Sequence, residues 1–390
     1  METTAAFDGL VCTETGRRFD VETSHHPDGG VLDAVYDYDA IDLDRAAIES
    51  RGPGLGKYAE LLPFPAASLA TLGEGGTPLI DCPVLADELG VERVVVKDEG
   101  GNPTGTFADR GMALALTAAR LHGAEDVALA TTGDAGYSAA AYAARVGVAS
   151  RPFVPTRSTF LNKAMINVHG GDMRVVEGRL PDAEEAFREA MAEEPRYSLA
   201  ALETPYRHEG AKTILFELLE QLDWEVPDAV FYPFEGSDGL VGLHKGAREF
   251  RELGLVDDVP PLYAAQSTGC APIVEAFEAG ASEHEPWEVP DTVCGGLERP
   301  DPPGGDLVQT ALRESGGGAV ATDDDDILES AVTVASREGV GVGVSAAAAA
   351  SAAWEMADDL DEDATVVLVN TAAGAKDADL LRSHLMGQGF

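Results

Sequence analysis

Three short stretches rich in glycine, threonine and acidic residues have the composition of ligand-binding turns. They span 98–110, 131–138 and 233–242, and each one connects a β-branched run to a helical pattern. A turn of this kind at the start of a helix presents backbone N–H groups that bind phosphate or carboxylate. The three stretches therefore predict a site for an anionic small molecule or cofactor.

The same turns also carry four carboxylates, Asp109, Asp134, Glu235 and Asp238. If they lay close together, their pKa values would separate, so that they could act as acid and base or hold a divalent metal. The simpler interpretation is that the acids are solvated loop residues and that Asp109 organises its own turn with Arg110. We favour the simpler interpretation because the chain has 69 acidic residues.

A separate run of four aspartates at 323–326 precedes ILESAVTVASREG. Acids at this position favour the helix dipole, so the run predicts a helix N-terminus rather than a metal site.

The elements that must position these turns alternate along most of the chain. From about residue 79, β-branched runs alternate with alanine-rich amphipathic stretches. The runs are VERVVVKDE, DVALATT, SRPFVP, DMRVVE, DAVFYPF, PPLYAAQ and TVVLVNT. Such alternation predicts an α/β fold with parallel sheets covered by helices on both faces. Ligands bind such sheets at the carboxyl ends of the strands, where the three turns fall.

The net charge excludes several kinds of partner. There are 69 acidic against 27 basic residues, which gives −42, and only six of the bases are lysines. Nucleic acids and anionic membranes need a basic surface, so we expect neither as a partner. High salt would screen the self-repulsion of this surface, so the composition favours a salt-rich cytoplasm over an ordinary acidic protein.

The remaining composition agrees with a cytoplasmic location. The four cysteines are scattered without a pairing pattern, as is typical of a reducing compartment. The N-terminus lacks the basic start and apolar core of a secretory signal, and no apolar run is long enough to span a membrane.

Residues 1–50 have the outline of a small zinc ribbon. CTETG at 12–16 and HHPDGG at 25–30 occupy the places of two knuckles with C-x-x-C spacing. Cys12, Thr15, His25 and Asp28 make a poor tetrahedral ligand set. We therefore expect a relict segment without metal, and zinc is not expected as a cofactor.

Segments along nearly the whole chain resemble threonine synthase, a fold-type-II pyridoxal-phosphate enzyme. They are LGEGGTPLIDCPVLADELG, KDEGGNPTGTFADRGMA, TTGDAGYSAAAYAARVG, PYRHEGAKTILFELLEQLDWEVPD, QSTGCAPIVEAF and NTAAGAKD. The resemblance implies a two-lobed, tryptophan synthase β-like fold with the cofactor between the lobes. It implies a large domain at 51–104 and 201–390 and a small domain at 105–200. The implied reaction converts O-phosphohomoserine to threonine and phosphate.

The resemblance also implies a catalytic lysine, which this chain lacks at the matching position. The family motif N-P-T-G-S-F-K-D-R-G reads NPTGTFADRG here, so Ala108 occupies the Schiff-base position. A methyl group can neither form an imine nor move a proton.

Further positions that the resemblance assigns to the cofactor and the substrate are altered too. The family's S-T-G-N reads TTGD, which leaves Thr131, Thr132 and Gly133 for a substrate carboxylate and places Asp134 against the phenolic oxygen. The phosphate loop G-N-G-G reads EGSD. Its positions are Glu235, Gly236, Ser237 and Asp238, followed by Gly239. The hydroxyl of Thr371, implied to face the pyridine nitrogen, is retained.

These changes predict a catalytically degenerate paralogue of the threonine synthase family. It would bind a small amino acid or a phosphate ester, or regulate a competent paralogue, and it would form homo-oligomers. Pyridoxal phosphate is the cofactor that the resemblance implies, and we expect its binding to be lost. Two alternatives stay open. One is an active threonine synthase or related lyase with a relocated lysine (Lys97, Lys212, Lys245 or Lys376), and the other is cofactor-free or metal-assisted chemistry at the four acids.

Overall fold

Residue contacts divide the chain into two compact units in the computed structural model, which describes residues 2–387. Unit 1 comprises Met1–Gly76, Asn102–Glu220 and Lys245–Asp257. Unit 2 comprises Thr77–Gly101, Gln221–His244 and Asp258–Phe390.

The described residues form three sheets. The strands are β1 Phe7–Cys12, β2 Arg18–Phe19, β3 Leu32–Tyr36, β4 Leu79–Asp81, β5 Arg93–Asp98, β6 Asp126–Ala130, β7 Ala149–Pro155, β8 Arg174–Val176, β9 Tyr197–Ser198, β10 Ala229–Pro233, β11 Leu262–Ser267, β12 Gly318–Thr322 and β13 Thr365–Asn370. All seven β-branched runs identified in the sequence form strands. Together with the helices, they confirm the predicted α/β fold of parallel and mixed sheets.

The helices follow the alanine-rich and amphipathic stretches. They are α1 Arg45–Glu49, α2 Pro83–Leu89, α3 Ala108–Leu121, α4 Asp134–Val146, α5 Phe160–Val168, α6 Leu180–Glu193, α7 Tyr206–Ala211, α8 Thr213–Gln221, α9 Ser237–Glu252, α10 Pro272–Glu278, α11 Gly305–Glu314, α12 Asp324–Glu338, α13 Ala348–Glu355 and α14 Ala378–Gly387. No helix among residues 2–387 is both long enough and apolar enough to cross a membrane.

Unit 2 is built on a six-stranded sheet of order β12-β11-β10-β13-β5-β4. All neighbours are parallel except β4, which runs antiparallel to β5 at the edge. The core packs α2, α12 and α13 against apolar residues of β5, β10 and β13. Because parallel strands end at the same edge, the residues after β5, β10 and β13 become neighbours.

Unit 1 contains a four-stranded parallel sheet of order β8-β7-β6-β9. Successive residues of a strand point to opposite faces, and β6 follows this rule. Val127 and Leu129 pack with α3 and α4, whereas Ala128 packs with Phe187 of α6. Both faces of the sheet are therefore covered, which is why β6 is apolar on both sides.

The N-terminal segment of unit 1 forms a separate antiparallel sheet of order β2-β1-β3. Its own small core contains Leu10, Cys12, Leu32 and Ala34, all of them buried. A three-stranded segment of this kind is compatible with the ribbon outline of the sequence. The absence of zinc from it stays a prediction.

The observed units differ from the predicted domains at 51–76, 102–104, 201–220 and 245–257, which join the unit that holds 105–200. The physical reason is the close crossing of α3 and α7. A Cβ atom on Gly210 would lie 2.1 Å from the carbonyl oxygen of Arg110, and one on Gly111 would lie 2.8 Å from that of Arg207. Glycines on both helices therefore let the two backbones touch, and α7 packs with the residues that follow 105.

Candidate functional site

The first candidate position, Ala108, begins α3 after the turn that follows β5. Its side chain is buried, and its N–H is donated to Thr106 Oγ1 over 3.4 Å. The turn is held by Asn102, whose side chain accepts the N–H of Gly75 over 3.0 Å. The backbone is thus anchored as a ligand-binding turn requires, but position 108 contributes only a methyl group.

The two charged residues after Ala108 have structural partners. Asp109 accepts the N–H of Thr104 over 2.7 Å and hydroxyl hydrogen bonds from Thr104 and Ser138, both over 2.5 Å. The prediction that Asp109 organises its own turn is therefore confirmed. The guanidinium of Arg110 forms a bidentate pair with Glu217, with both distances 2.7 Å, and its part in that turn stays a prediction.

All six lysines have partners. They are Glu220 for Lys57, Thr77 and Gln221 for Lys97, Thr156 for Lys163, Glu209 and Glu249 for Lys212, and Asp33, Ala34 and Glu209 for Lys245. Lys376, in the 3₁₀ helix Gly374–Asp377, is also engaged. Lys97, Lys212 and Lys245 are moreover buried or nearly so. Five of the six amines thus make a named structural contact.

The second candidate turn, Thr131 to Asp134, precedes α4. Gly133 has φ +140° and accordingly needs glycine, and a Cβ there would lie 2.8 Å from the side-chain nitrogen of Asn162. Its N–H is donated to Thr131 Oγ1 over 3.0 Å. The predicted donor to a substrate carboxylate is therefore already used within the turn, while Thr132 remains half-buried at its tip.

The third candidate turn, 235–239, lies in unit 2 between β10 and α9. Gly236 has φ +154°, and Ser237 and Asp238 are almost completely buried. A Cβ on Gly236 would lie 3.2 Å from Asp238 Oδ1, so that carboxylate lies close to the loop backbone. Gly239 is packed on Tyr232 so tightly that a Cβ there would lie 1.7 Å from its hydroxyl oxygen. The loop has glycine at 236 and 239, but Glu235, Ser237 and Asp238 stand where the family loop has glycine.

The retained hydroxyl of Thr371 is joined to one of those carboxylates. Thr371 Oγ1 donates to Glu235 Oε1 over 2.6 Å, and Thr371 is fully buried. Both residues belong to unit 2 and follow the paired strands β13 and β10. The hydroxyl that the resemblance assigns to a pyridine nitrogen therefore has an internal acceptor.

Similar pairs occur along the same edge of the unit 2 sheet. Asn370 Nδ2 donates to Asp98 Oδ1 over 2.7 Å, and burial raises the pKa of Asp98. Ser267 donates to Asp324 Oδ1 over 2.7 Å. Neutral side chains thus donate to a carboxylate at three places along this edge.

Asp324 also changes the interpretation of the acidic run at 323–326. The run forms the N-terminus of α12 as predicted, with Asp323 at the N-cap, but Asp323 makes no side-chain hydrogen bond to the helix. Asp324 instead accepts hydrogen bonds from Ser267, Thr292 and the N–H of Val293. One member of the run thus joins three segments of unit 2.

The metal-assisted alternative at the four acids gains no support. Within residues 2–387, the only group of three His, Cys, Asp or Glu side chains spaced for a metal is Asp33, His208 and Glu209. That group contains none of the four acids, and Lys245 pairs with two of its members. The ribbon positions Cys12, His25 and Asp28 likewise belong to no such group.

Sequence reasoning missed the buried charge cluster of unit 1. Its members are Asp33, Tyr36, His208, Glu209, Lys212, Lys245 and Glu249. Burial raises the pKa of Glu249 to about 7, although Lys212 and Lys245 act in the opposite direction. The acid and lysine three positions apart in RHEGAK are the signal that could have predicted a pair.

With this geometry described, the fold places the chain among fold-type-II pyridoxal-phosphate enzymes. The processed form of threonine deaminase isoform 2 from Solanum lycopersicum superposes with a TM-score of 0.68 at 19% identity, covering 80% of this chain and 88% of that one. The serine racemase of maize gives a TM-score of 0.67 at 19% identity, covering 80% of this chain and 94% of that one. These likenesses show the fold.

Sequence comparison shows the family. The family described as pyridoxal-phosphate dependent enzyme matches residues 70–372. The threonine synthase of Methanosarcina acetivorans is 36% identical over 375 residues, which is 94% of this chain and 92% of that protein. The threonine synthase of Methanocaldococcus jannaschii is 34% identical over 376 residues, which is 94% of this chain and 93% of that protein. The chain belongs to the pyridoxal-phosphate-dependent enzyme family and is threonine synthase-like.

Proposed function

We propose that this protein is a non-catalytic member of its family that binds a small amino-acid-like ligand or regulates a competent relative. The observation that carries the proposal is Ala108, which begins α3 where the resemblance places the Schiff-base lysine. No other lysine is an obvious replacement, because five amines have structural partners and Lys376 also makes an interaction. Without an amine there is neither an imine nor a base.

The residues at the implied cofactor positions do not fit pyridoxal phosphate. Glu235 and Asp238 stand in the loop that would receive a phosphate dianion, and Asp134 would face a phenolate as an acceptor only. Two unit charges about 4 Å apart repel by about 4 kcal/mol at an effective dielectric constant of 20. We therefore infer that cofactor binding is lost as well as catalysis.

The alternative is a threonine synthase whose lysine has moved. It is favoured by 34–36% identity to proteins named threonine synthase. It requires Lys97, Lys212, Lys245 or Lys376 to leave its present partner.

One experiment separates the two readings of this site. The protein, purified in molar KCl, is mixed with excess pyridoxal phosphate, reduced with borohydride and digested for mass spectrometry. We expect neither an aldimine absorbance band nor a pyridoxyl-lysine peptide. The threonine synthase of Methanosarcina acetivorans serves as the positive control. A pyridoxyl group on one of the six lysines would overturn the proposal and favour the moved-lysine alternative.

A further inference from the structure

We propose that a pocket between α2, α12 and α13 binds a small organic cation that carries N–H donors. The pocket has a volume of about 400 Å³, which is a usual size for a small-molecule site. All its lining residues belong to unit 2, and none of them is a position that the resemblance assigns to the cofactor or the substrate. The pocket is therefore a second site, and its ligand does not depend on the proposed function.

Two of the helices that form the pocket each present one face to it. Asp326, Glu329 and Thr333 of α12 line the pocket, and their spacing of three and four positions places them on one face of that helix. Trp354 and Glu355 line it from α13. The pocket therefore has an acidic wall on α12 and an aromatic and acidic wall on α13.

The charge of the pocket is negative. Glu88 of α2 joins the three carboxylates of the other helices, and no lysine or arginine among residues 2–387 lines the pocket. Two of the four acids have a basic neighbour outside the lining, His384 at 3.3 Å from Glu329 and Arg337 at 3.9 Å from Glu88. The excess of carboxylates attracts a cation, but exposed acids attract any counter-ion, so specificity must come from other groups.

The hydroxyl of Thr322 is one such group. Thr322 ends β12, lines the pocket and is only 6% exposed, and its Oγ1 has no hydrogen-bond partner within the described residues. Alternate residues of a strand share a face, so Thr322 lies on the same face as Val320, which packs against the core that contains the alanines of α13. The hydroxyl is therefore directed to the side of the sheet where the pocket lies. A buried hydroxyl without a partner is costly, and an N–H donor from a ligand would remove that cost.

Trp354 is the second group that adds specificity. It is half-buried, packs against the core of unit 2 and also lines the pocket. Tryptophan is the side chain whose ring attracts a cation most strongly. An organic cation gains from such a ring, whereas a small divalent metal gives up its water reluctantly.

The spacing of the carboxylates does not suit a divalent metal either. Within residues 2–387, the only acidic or imidazole side chains close enough to share a metal are Asp33, His208 and Glu209 in unit 1. The ligand in the unit 2 pocket therefore has to reach between separate carboxylates, as an ammonium group on a short chain does. Its N–H groups would donate to Thr322 and to the acids, and its carbon chain would lie on Trp354.

Calorimetric titration with 1,4-diaminobutane tests the proposal, at the lowest KCl concentration that keeps the protein folded. The neutral control is 1,4-butanediol, and the permethylated diamine is a control that keeps both charges but has no N–H group. We expect the wild type to bind the diamine, to bind the permethylated ion about 10-fold more weakly and not to bind the diol. No binding of the diamine by the folded wild type would overturn the proposal, as would its displacement by equimolar Mg²⁺.

Two matched pairs of variants locate the site. Asp326→Asn should weaken diamine binding by about 3-fold, whereas Asp325→Asn removes a neighbouring exposed acid that does not line the pocket and should leave the affinity unchanged. Trp354→Leu should weaken binding by about 5-fold, whereas Trp287→Leu removes a half-buried tryptophan elsewhere in unit 2 and should not. Equal effects within either pair would mean that the diamine binds the acidic surface at large, which would overturn the proposal.

Thr322→Val tests the hydroxyl by itself. Valine has a similar shape, and the hydroxyl that it removes has no partner within the described residues, so the free energy of unfolding should not fall. The affinity for the diamine should fall by about 10-fold, and the affinity for the permethylated ion should stay the same. Equal weakening of both ligands would contradict the proposal, because the hydroxyl would then not accept an N–H. Urea unfolding verifies that each variant is folded.

Discussion

Under the proposed function, Ala108 removes the chemistry of a lysine without disturbing the helix that it begins. Alanine is the best helix former, and here it is buried at the first position of α3. The turn before it keeps its hydrogen bonds to Gly75 and Thr106. Likeness of fold to active relatives is therefore compatible with a changed activity, and residue chemistry has to decide.

Some site contacts could be predicted from the sequence and others could not. The positions of Glu235 and Thr371 were predicted as site residues from their motifs, but their mutual hydrogen bond was not. The two residues are 136 positions apart and meet only because β10 pairs with β13. A motif identifies a residue type, whereas the direction of a hydroxyl depends on tertiary packing.

Arg110 and Glu217 support a prediction at this scale. The pair is buried, with exposed side-chain fractions of 0% and 4%. Glu217→Gln leaves a buried guanidinium without its counter-charge, so we expect the free energy of unfolding to fall by about 3–5 kcal/mol. Urea unfolding measures the change.

Asp81→Asn is the matched control, since it breaks the exposed pair with Arg93, whose side-chain fractions are 42% for Arg93 and 65% for Asp81. That variant should lose less than about 1 kcal/mol. If the free energy of unfolding fell by less than about 1 kcal/mol in both variants, Arg110 would have another adequate partner. The assigned role of Glu217 would then be wrong.

At the scale of elements, prediction succeeded for the seven β-branched runs and missed β1, β4, β9 and β12, which lie outside them. Most of the seven β-branched runs form strands that are buried on both faces, whereas β8 lies largely exposed at the edge of its sheet. The strands β4 and β9 have only three and two residues, and neither lies in a β-branched run. They form because a neighbouring strand offers hydrogen bonds.

The crossing of α3 and α7 supports a second prediction. Gly210→Ala would place a Cβ atom 2.1 Å from the carbonyl oxygen of Arg110 and would force the helices apart. We expect a loss of about 1–3 kcal/mol in the free energy of unfolding, as for other overpacked sites. Gly387→Ala in α14, where a Cβ atom would meet nothing within 4 Å, should stay within about 0.5 kcal/mol of the wild type. Similar losses in both would show that helix propensity, not the close crossing, sets the cost.

The charge cluster joining β3, α7 and α9 supports a third prediction, on pH. Glu249 faces Lys212, Lys245, Glu209 and Tyr38, and burial raises its pKa from 4.5 to about 7. A raised pKa in the folded state means that Glu249 contributes its stability at low pH and loses it as the pH rises through 7.

Glu249→Gln mimics the protonated side chain and should remove this dependence. Between about pH 5 and pH 8, the free energy of unfolding of the wild type should fall by up to about 3 kcal/mol more than that of the variant. Unfolding titrations at several pH values measure the two slopes. Parallel slopes would show that Glu249 is ionised throughout this range.

At the scale of the whole molecule, charge is the dominant feature. The net charge of −42 is spread along a chain whose six lysines all have partners. The 27 basic residues cannot neutralise 69 acidic ones, so most of the carboxylates have no cationic side chain to pair with. Self-repulsion of like charges disfavours the compact state unless ions screen it.

We therefore expect stability to rise steeply with salt. Between about 0.1 M and 1 M KCl the Debye length falls from about 10 Å to about 3 Å, which removes repulsion between all but adjacent acids. The measurement is the urea midpoint as a function of KCl concentration, with sucrose of equal osmolality as the control for solvent exclusion. If sucrose stabilised the protein as much as KCl, preferential exclusion rather than screening would account for the gain. A rise that occurs with KCl alone would mean that screening of the acidic surface stabilises the fold, and it would set the ionic conditions for every binding experiment on this protein.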